Sequence, residues 1–344
     1  MKRGFTMKRS LRRFFDVTVP LAVVLYVVTG IAVTSSAQTV LRFGGSFPID
    51  HHCTRGQEYF AKLVTGKTDK VKIEVYPASQ LFNDKDLVRA VSTGAADMGI
   101  LTPGVITGQV PIFLASDIPF LFSSRDHVHR WIDSEVGEIY REALKKKNFH
   151  MIYWIDFSIF GIASTKPIKT LEDFKGRRIR GVGEMAVEGL RALGAASTFI
   201  SSSEVYLALQ RNTIDGAISG WSTFYDRKYY EVTKYLTDPG LALGVMVVAM
   251  NAPAWEKLPK DVQDIIMAAG KEAQAWGRQE CEKADSRDLE QLKKKGMEYY
   301  EVPQKERERW KEATYKTCTE VFLKRVEDQG KAKRVLELAE KSRK

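Results

Sequence analysis

Apolar positions along the chain switch between a period of two and a period near 3.6, and the switches mark out alternating strands and helices. Val40–Gly44 reads as a short strand, and Gln57–Val64 as a helix that buries Tyr59, Phe60 and Leu63. Val71–Tyr76 alternates cleanly as a strand and is closed by Pro77. Asp84–Thr93 is a helix with Leu87, Val88 and Val91 inward, and Ala96–Leu101 is a third strand. A helix is expected from about Ser124 to Lys147. The aromatic and β-branched run His150–Phe157 is then a strand leading into a second domain. Leu241–Met250 is almost unbroken in its apolarity, which suits a strand buried on both faces and returning to the first domain. Lys260–Lys295 follows as one helix of roughly 50 Å at 1.5 Å per residue, more than one domain needs. Met297–Val302 is a last strand and Gln304–Asp328 a charged amphipathic helix. The β-α-β order implies a mostly parallel sheet covered by helices on both faces.

The 344 residues allow two domains. Their net charge of +10 comes in good part from the first 37 residues, where Lys2, Arg3, Lys8, Arg9, Arg12 and Arg13 face only Asp16. Without that segment 47 basic residues stand against 42 acidic ones, scattered among each other, so the excess of a nucleic-acid-binding protein is missing. The same segment has a basic start, an apolar run from Val17 to Val33 and a Ser35-Ser36-Ala37 exit, the pattern of a secretory leader cleaved after Ala37. Pro20, Thr29 and Gly30 interrupt the apolar run, which speaks against a membrane anchor. Arg12-Arg13 fits a twin-arginine signal except for Asp16, so the export route stays open between the two systems. Cys53, Cys281 and Cys318 remain, and two helices folded back on each other could bring the last two level; either a disulfide or two separate thiols is compatible with the spacing. Adjacent His51, His52 and Cys53 match no metal spacing, and surface exposure is the ordinary fate of such polar neighbours.

Candidate chemistry concentrates between Thr170 and Trp221. Arg178 and Arg180 sit two apart around Ile179, and Gly181 and Gly183 open a helix to about Leu193. A guanidinium and free backbone N–H groups therefore meet at one strand end, an arrangement suited to a carboxylate. The Gly181-x-Gly183-x-x-Ala186 spacing also fits a dinucleotide fingerprint. That reading fails its context, because the next strand, Ser197–Ile200, lacks the acid that would hold a ribose and the preceding strand is too polar. No serine, cysteine or histidine stands in a nucleophile motif. Ser201 and Glu204 have capping-box spacing, which assigns Glu204 to a helix start, and Asp215-Gly216 reads as a turn.

The runs E-D-F-K-G-R-R-I-R-G and S-S-E-V-Y-L-A-L-Q-R-N-T-I-D-G resemble the solute-binding proteins of the tripartite ATP-independent periplasmic (TRAP) transporters, the DctP-type family. So do Y-P-A-S-Q-L-F-N-D-K-D-L-V-R-A-V, D-I-P-F-L-F and N-A-P-A-W-E-K-L-P, which extend the likeness over residues 40–330. The resemblance implies a periplasmic-binding-protein-like α/β fold of two α/β domains with a hinge and a long bracing helix. Domain I would comprise 38–163 with 249–290, and domain II 164–248 with 291–344. It implies an exported, most simply monomeric protein that binds a small organic acid without cofactor or metal. The acid would pass to a small and a large permease subunit in the membrane. Arg180 matches the family's carboxylate-binding arginine. Lys166 stands where many relatives have a second arginine, and Ser219-Gly220-Trp221 where many have Asn-Pro, which points to a flatter or more apolar ligand body. Trp154 and Phe157 either line the cleft or fill the core, Trp221 either reads the ligand or packs the hinge, and Ser46 and Thr102 belong to segments that face the cleft in similar proteins. Two other functions share these features: a binding protein for an ATP-driven importer, and an exported enzyme acting on small acids.

Overall fold

Residues 38–241 and 243–343 are described by a computed structural model, and the expected leader lies outside them. Ten strands follow in chain order: β1 (Thr39–Gly44), β2 (Val71–Tyr76), β3 (Met98–Leu101), β4 (Phe149–Ser164), β5 (Ile179–Gly181), β6 (Thr198–Phe199), β7 (Gly216–Gly220), β8 (Tyr235–Asp238), β9 (Leu243–Asn251) and β10 (Glu298–Glu301). The helices are α1 (His52–Thr65), α2 (Asp84–Thr93), α3 (Pro103–Ile106), α4 (Arg125–Ile132), α5 (Glu135–Lys145), α6 (Glu184–Ala192), α7 (Val205–Gln210), α8 (Trp221–Asp226), α9 (Ala252–Glu256), α10 (Lys260–Lys294), α11 (Gln304–Arg325) and α12 (Gln329–Lys341).

The strand order is β2-β1-β3-β9-β4-β7-β5-β6, with β8 beside β4 and β10 beside β8. Each arm is parallel, as expected, but the centre is not. β9 runs antiparallel to β3 and β4, and β4 antiparallel to β7 and β8. The cause is the length of β4: its first part, to Ile159, pairs with β9, and Phe160–Ser164 continues into the second arm against β7. All nine residues of β9 are buried, in keeping with its unbroken apolarity.

The 35 residues of α10 lie across this central pair. Gly270 lets the helix approach Ile152 and Tyr153, where a Cβ would come within 2.8 Å of the isoleucine. Farther along, Cys281 and then Leu292 are buried in the cores of the first and second arms, so one helix braces both.

Three elements depart from the sequence reading for local reasons. The helix expected from Ser124 to Lys147 is broken at Asp133-Ser134, because the Ser134 hydroxyl accepts Val136 N–H and caps a new helix, α5. α1 starts five residues early, since the His51 side chain accepts Cys53 N–H as its N-cap. After α11 the chain turns back, and α12 buries Val335 and Ala339 in the core that holds α4 and α5. Trp131 fixes it there by donating to Val335 O at 3.1 Å. The C-terminal helix thus lies with the first arm, although the sequence division gave 291–344 to the second. The three cysteines are buried and unpaired: Cys281 accepts an Arg125 N–H at 3.2 Å, and Cys318 faces α6 at Gly189.

The two arms meet at backbone distance. A Cβ on Gly183 would stand 2.3 Å from Gly104 O, and nothing in that contact is a side chain able to move aside. Gly183→Ala is therefore expected to hold the arms apart and raise the radius of gyration measured by small-angle X-ray scattering. Gly108→Ala, where no atom lies within 4 Å of the added methyl, is the control that leaves it unchanged.

Candidate functional site

Arg180 lies in β5, between β6 and β7 and parallel to both. Its neighbour Ile179 packs with Phe174, Leu190 and Trp310 on one face of the sheet, so alternation sends the arginine to the other. There it is 2% exposed. Nε donates to Ile200 O at 2.9 Å, Nη1 to Ile218 O at 3.4 Å and Nη2 to Ser202 Oγ at 3.2 Å. The guanidinium also sits 5.9 Å from the Phe199 ring centroid. It forms no ion pair with a carboxylate among the described residues, and burial lowers its pKa. An arginine has five N–H donors, so part of the fork is left over in a place where desolvating a charge is costly. Arg178, by contrast, lies just outside the strand and is bound to Asp215 at 2.6 Å.

A second cation comes from a position the sequence did not suggest. Arg227 follows α8, its Nη2 donates to Ser46 O at 2.6 Å, and its Nε is buried without a partner. The two guanidiniums are close enough that Arg227 contributes to lowering the Arg180 pKa, and both hold down that of the buried Tyr229 against the upward push of its burial. Thr223, one helical turn before Arg227 and so on the same face, has a buried hydroxyl that is likewise unpartnered. Lys166 is exposed, and its carbonyl accepts from Ser164 within a surface turn. Only its position relative to the K-G motif had suggested it, whereas Arg227 sits in an ordinary-looking F-Y-D-R-K run with no sequence signal.

Aromatic rings adjoin the Ser46–Arg227 contact. Phe47 stacks on His51 at 4.6 Å and tilts against Phe157 at 5.6 Å. Phe157 in turn closes on Gly220, where a Cβ would come 3.2 Å from its ring. Ser219, in the strand next to Gly220, is buried, as are Ser46 and Thr102; Thr102 precedes α3, whose Gly104 touches the opposite arm. Ser46 and Phe157 are thus brought together, through Arg227 and Phe47. Trp221 and Trp154 are not. Trp221 packs over Gly161 and against Phe224 and Tyr299 in the second arm's core. Trp154 lies among Phe113 and Tyr140 in the first. Both indoles are too large to leave a tight strand crossing once they are turned inward.

The histidines are buried rather than exposed, and their ligand atoms do converge with Cys53: one from each residue lies within 4.8 Å of the others. The donor set still does not fit an ion. The His51 and His52 rings are stacked at 4.4 Å with 27° between planes, so their in-plane lone pairs run side by side instead of meeting. His51 Nδ1 already accepts Cys53 N–H, His52 Nε2 faces Asp156 O, and burial pushes the Cys53 thiol up, away from the thiolate a metal requires. With Nδ1 accepting, a neutral His51 carries its proton on Nε2, a buried donor with no partner. Burial, with help from His52 and Arg227, holds that ring well below the usual histidine range.

Glu204 does begin α7, but without a side-chain cap bond, and the Ser201 hydroxyl that should have capped the turn donates to Asp84 instead. On the opposite sheet face a mainly apolar cavity lies between the arms, lined by Phe120, Phe160, Leu190, Leu243 and Trp310, with Asp117 at its edge.

Set beside known proteins, residues 43–325 match the family described as bacterial extracellular solute-binding protein, family 7 (DctP). The C4-dicarboxylate-binding periplasmic protein DctP of Rhodobacter capsulatus is 28% identical over 279 residues, covering 79% of this chain and 83% of the relative. A TRAP periplasmic solute-binding protein from Desulfovibrio salexigens, solved with orotic acid, superposes with a TM-score of 0.84 at 26% identity, covering 89% of this chain and 98% of that one. Another from Sulfurospirillum deleyianum, solved with succinate, gives 0.81 at 27% identity with the same coverages.

Asp117 supplies a test of the buried electrostatics. With no ion-pair partner among the described residues, desolvation pushes its carboxyl up to about 7. The folded protein then holds a proton that the unfolded chain releases near pH 4, so this group costs stability progressively as pH rises from about 4 to about 7. Asp117→Asn is expected to melt higher than the parent at pH 8, with the difference shrinking to nothing by pH 4 in parallel thermal melts.

Proposed function

The chain belongs to the bacterial extracellular solute-binding protein family 7, and on that premise we propose that it captures a small organic acid outside the cytoplasm and delivers it to the membrane subunits of a TRAP transporter. It is a solute-binding protein of the TRAP type, with the mixed α/β fold and long bracing helix of those proteins. The observation that carries the ligand class is Arg180, a guanidinium almost wholly removed from water and in direct contact with no carboxylate among the described residues. A carboxylate of the ligand completes it, forming two charge-assisted hydrogen bonds with the free part of the fork. Arg227 adds a second positive charge, and the unpartnered donors of Thr223 and His51 offer hydrogen bonds to the rest of the molecule. Phe47, His51 and Phe157 form a flat wall beside it. The selectivity for a flat or compact body that the sequence attached to Trp221 falls instead to these three rings.

The domains divide, on this reading, where β4 and β9 pass from one arm to the other, and closure brings Gly104 and Gly183 together over the bound acid. Nothing in the site asks for bond making: binding rests on charge, hydrogen bonds and excluded water. Delivery to a small and a large permease subunit, release into the periplasm after cleavage at Ala37 and action as a monomer follow the habits of the family.

Screening succinate, orotate and other small acids by thermal shift is expected to find carboxylates that raise the melting temperature. For any such acid, Arg180→Ala should weaken binding by about 30-fold or more in calorimetry, the scale for removing one partner of a buried charge pair. Without ligand the same variant should melt no lower than the parent, because a buried, unpaired charge has been removed. Undiminished affinity would refute the site.

A further inference from the structure

Asp84 is the first residue of α2, in the first arm, yet its carboxylate is used in the second. Oδ1 accepts the Ser201 hydroxyl at 2.5 Å and, within α2 itself, the Lys85 N–H at 3.1 Å, while Oδ2 accepts the Ser202 hydroxyl at 2.7 Å and the Ser202 N–H at 3.2 Å. The helix does not need it as a cap, since Asn83 already accepts Asp86 N–H at 2.9 Å. Nor does α7 gain from the arrangement, for both serines before it are turned away from its open end. A carboxylate that is 5% exposed, in direct contact with no cation among the described residues and influenced by Arg180 only across Ser202, needs some other reason to be there.

The Ser202 hydroxyl supplies it. Having one proton, which it gives to Asp84, it has lone pairs left, and one of these accepts Arg180 Nη2 at 3.2 Å. We propose that Asp84 is a positioning residue for ligand capture: through Ser202 it fixes the Arg180 fork, and so ties the first arm to the residue that binds the carboxylate. The relay Asp84–Ser202–Arg180 runs from α2 across the gap between arms and ends on β5. Its first link exists only while the arms are together, so a guanidinium aligned for an anion and a closed cleft become one state. This rests on the reading of Arg180 as the carboxylate ligand.

The opposite sign is conceivable on electrostatic grounds, because a nearby negative charge repels an incoming anion, and that makes the test decisive. Asp84→Asn, Ser202→Ala and the double variant are titrated with succinate and orotate, using whichever raises the parent's melting temperature, and dissociation is followed by stopped flow. Each single change is expected to raise Kd about tenfold, the order for losing one hydrogen bond to a charged group, through faster dissociation with association unchanged. The double variant should be no worse than the singles, since both break one chain. Tighter binding by Asp84→Asn, no change, or additive losses would each overturn the proposal. A ligand-free arm separates its failure from that of the functional reading. If neither acid binds the parent, the reading of the ligand falls, while amide exchange at Ser202 still decides the relay. Exchange should be faster in Asp84→Asn than in the parent, and equal rates would end it. If Asp84→Asn does not fold, Ser202→Ala alone carries the affinity and off-rate arms.

Discussion

Taking an arginine out of water without giving it a counter-ion is among the more expensive things a fold can do. Arg180 pins much else in place around that cost. Two backbone carbonyls flank β5, Ile200 O just past the end of β6 and Ile218 O in the middle of β7, so the neighbouring strands have to keep their register for the guanidinium to stay solvated by the protein. The Phe199 ring covers it, and a serine hydroxyl takes the remaining near contact. On the proposed reading such a site is preorganised, because the charge is desolvated by the fold itself and the groups that steady it are mostly main chain.

Such a site needs a rigid support, and the centre of the molecule provides one. Asp285 of α10 accepts Ile159 N–H and the Ser158 hydroxyl of β4, and binds Arg125 of α4 at 2.8 Å. Ser158 Oγ in turn accepts Trp221 N–H, the start of α8. Asp156, two residues earlier in β4, holds His129 at 2.7 Å. One buried polar network therefore joins the long helix, the crossing strand, a first-arm helix and the turn that leads to Arg227. Its members satisfy one another, which is the condition under which a buried network confers order instead of strain.

What could be read from the sequence was what is decided over a few residues. The bounds of α2, the length of α10 and the fully buried β9 follow from periodicity, and Arg180 and the glycines around it stand out because strand, charge and turn are contiguous. The misplacements share the opposite property. Ser201 has the right neighbour for a capping box but gives its proton to Asp84, 117 positions away. Trp221 and Lys166 stand out only by comparison with the family pattern, and that pattern does not say which face of α8 or of a turn will look inward. His51 and His52 read as surface residues because polar pairs usually are; His51 caps a helix and is enclosed by Phe47 and Phe157, and His52 is buried beneath it by stacking on its ring. Arg227 had no local signature at all, since its partner is a carbonyl more than 180 positions upstream.

The three separate thiols carry a meaning of their own. Each is enclosed, with its pKa pushed up by burial, and each faces a different set of neighbours. Oxidants and disulfide reagents act on thiolates at an accessible sulfur, so packing alone withholds these three sulfurs from such chemistry. Cys53 sits beside His51 and His52 in α1, Cys281 on the bracing helix and Cys318 behind α6. Opening of the core that Cys281 and Cys318 share would start one chemical clock, and opening of the core around Cys53 another.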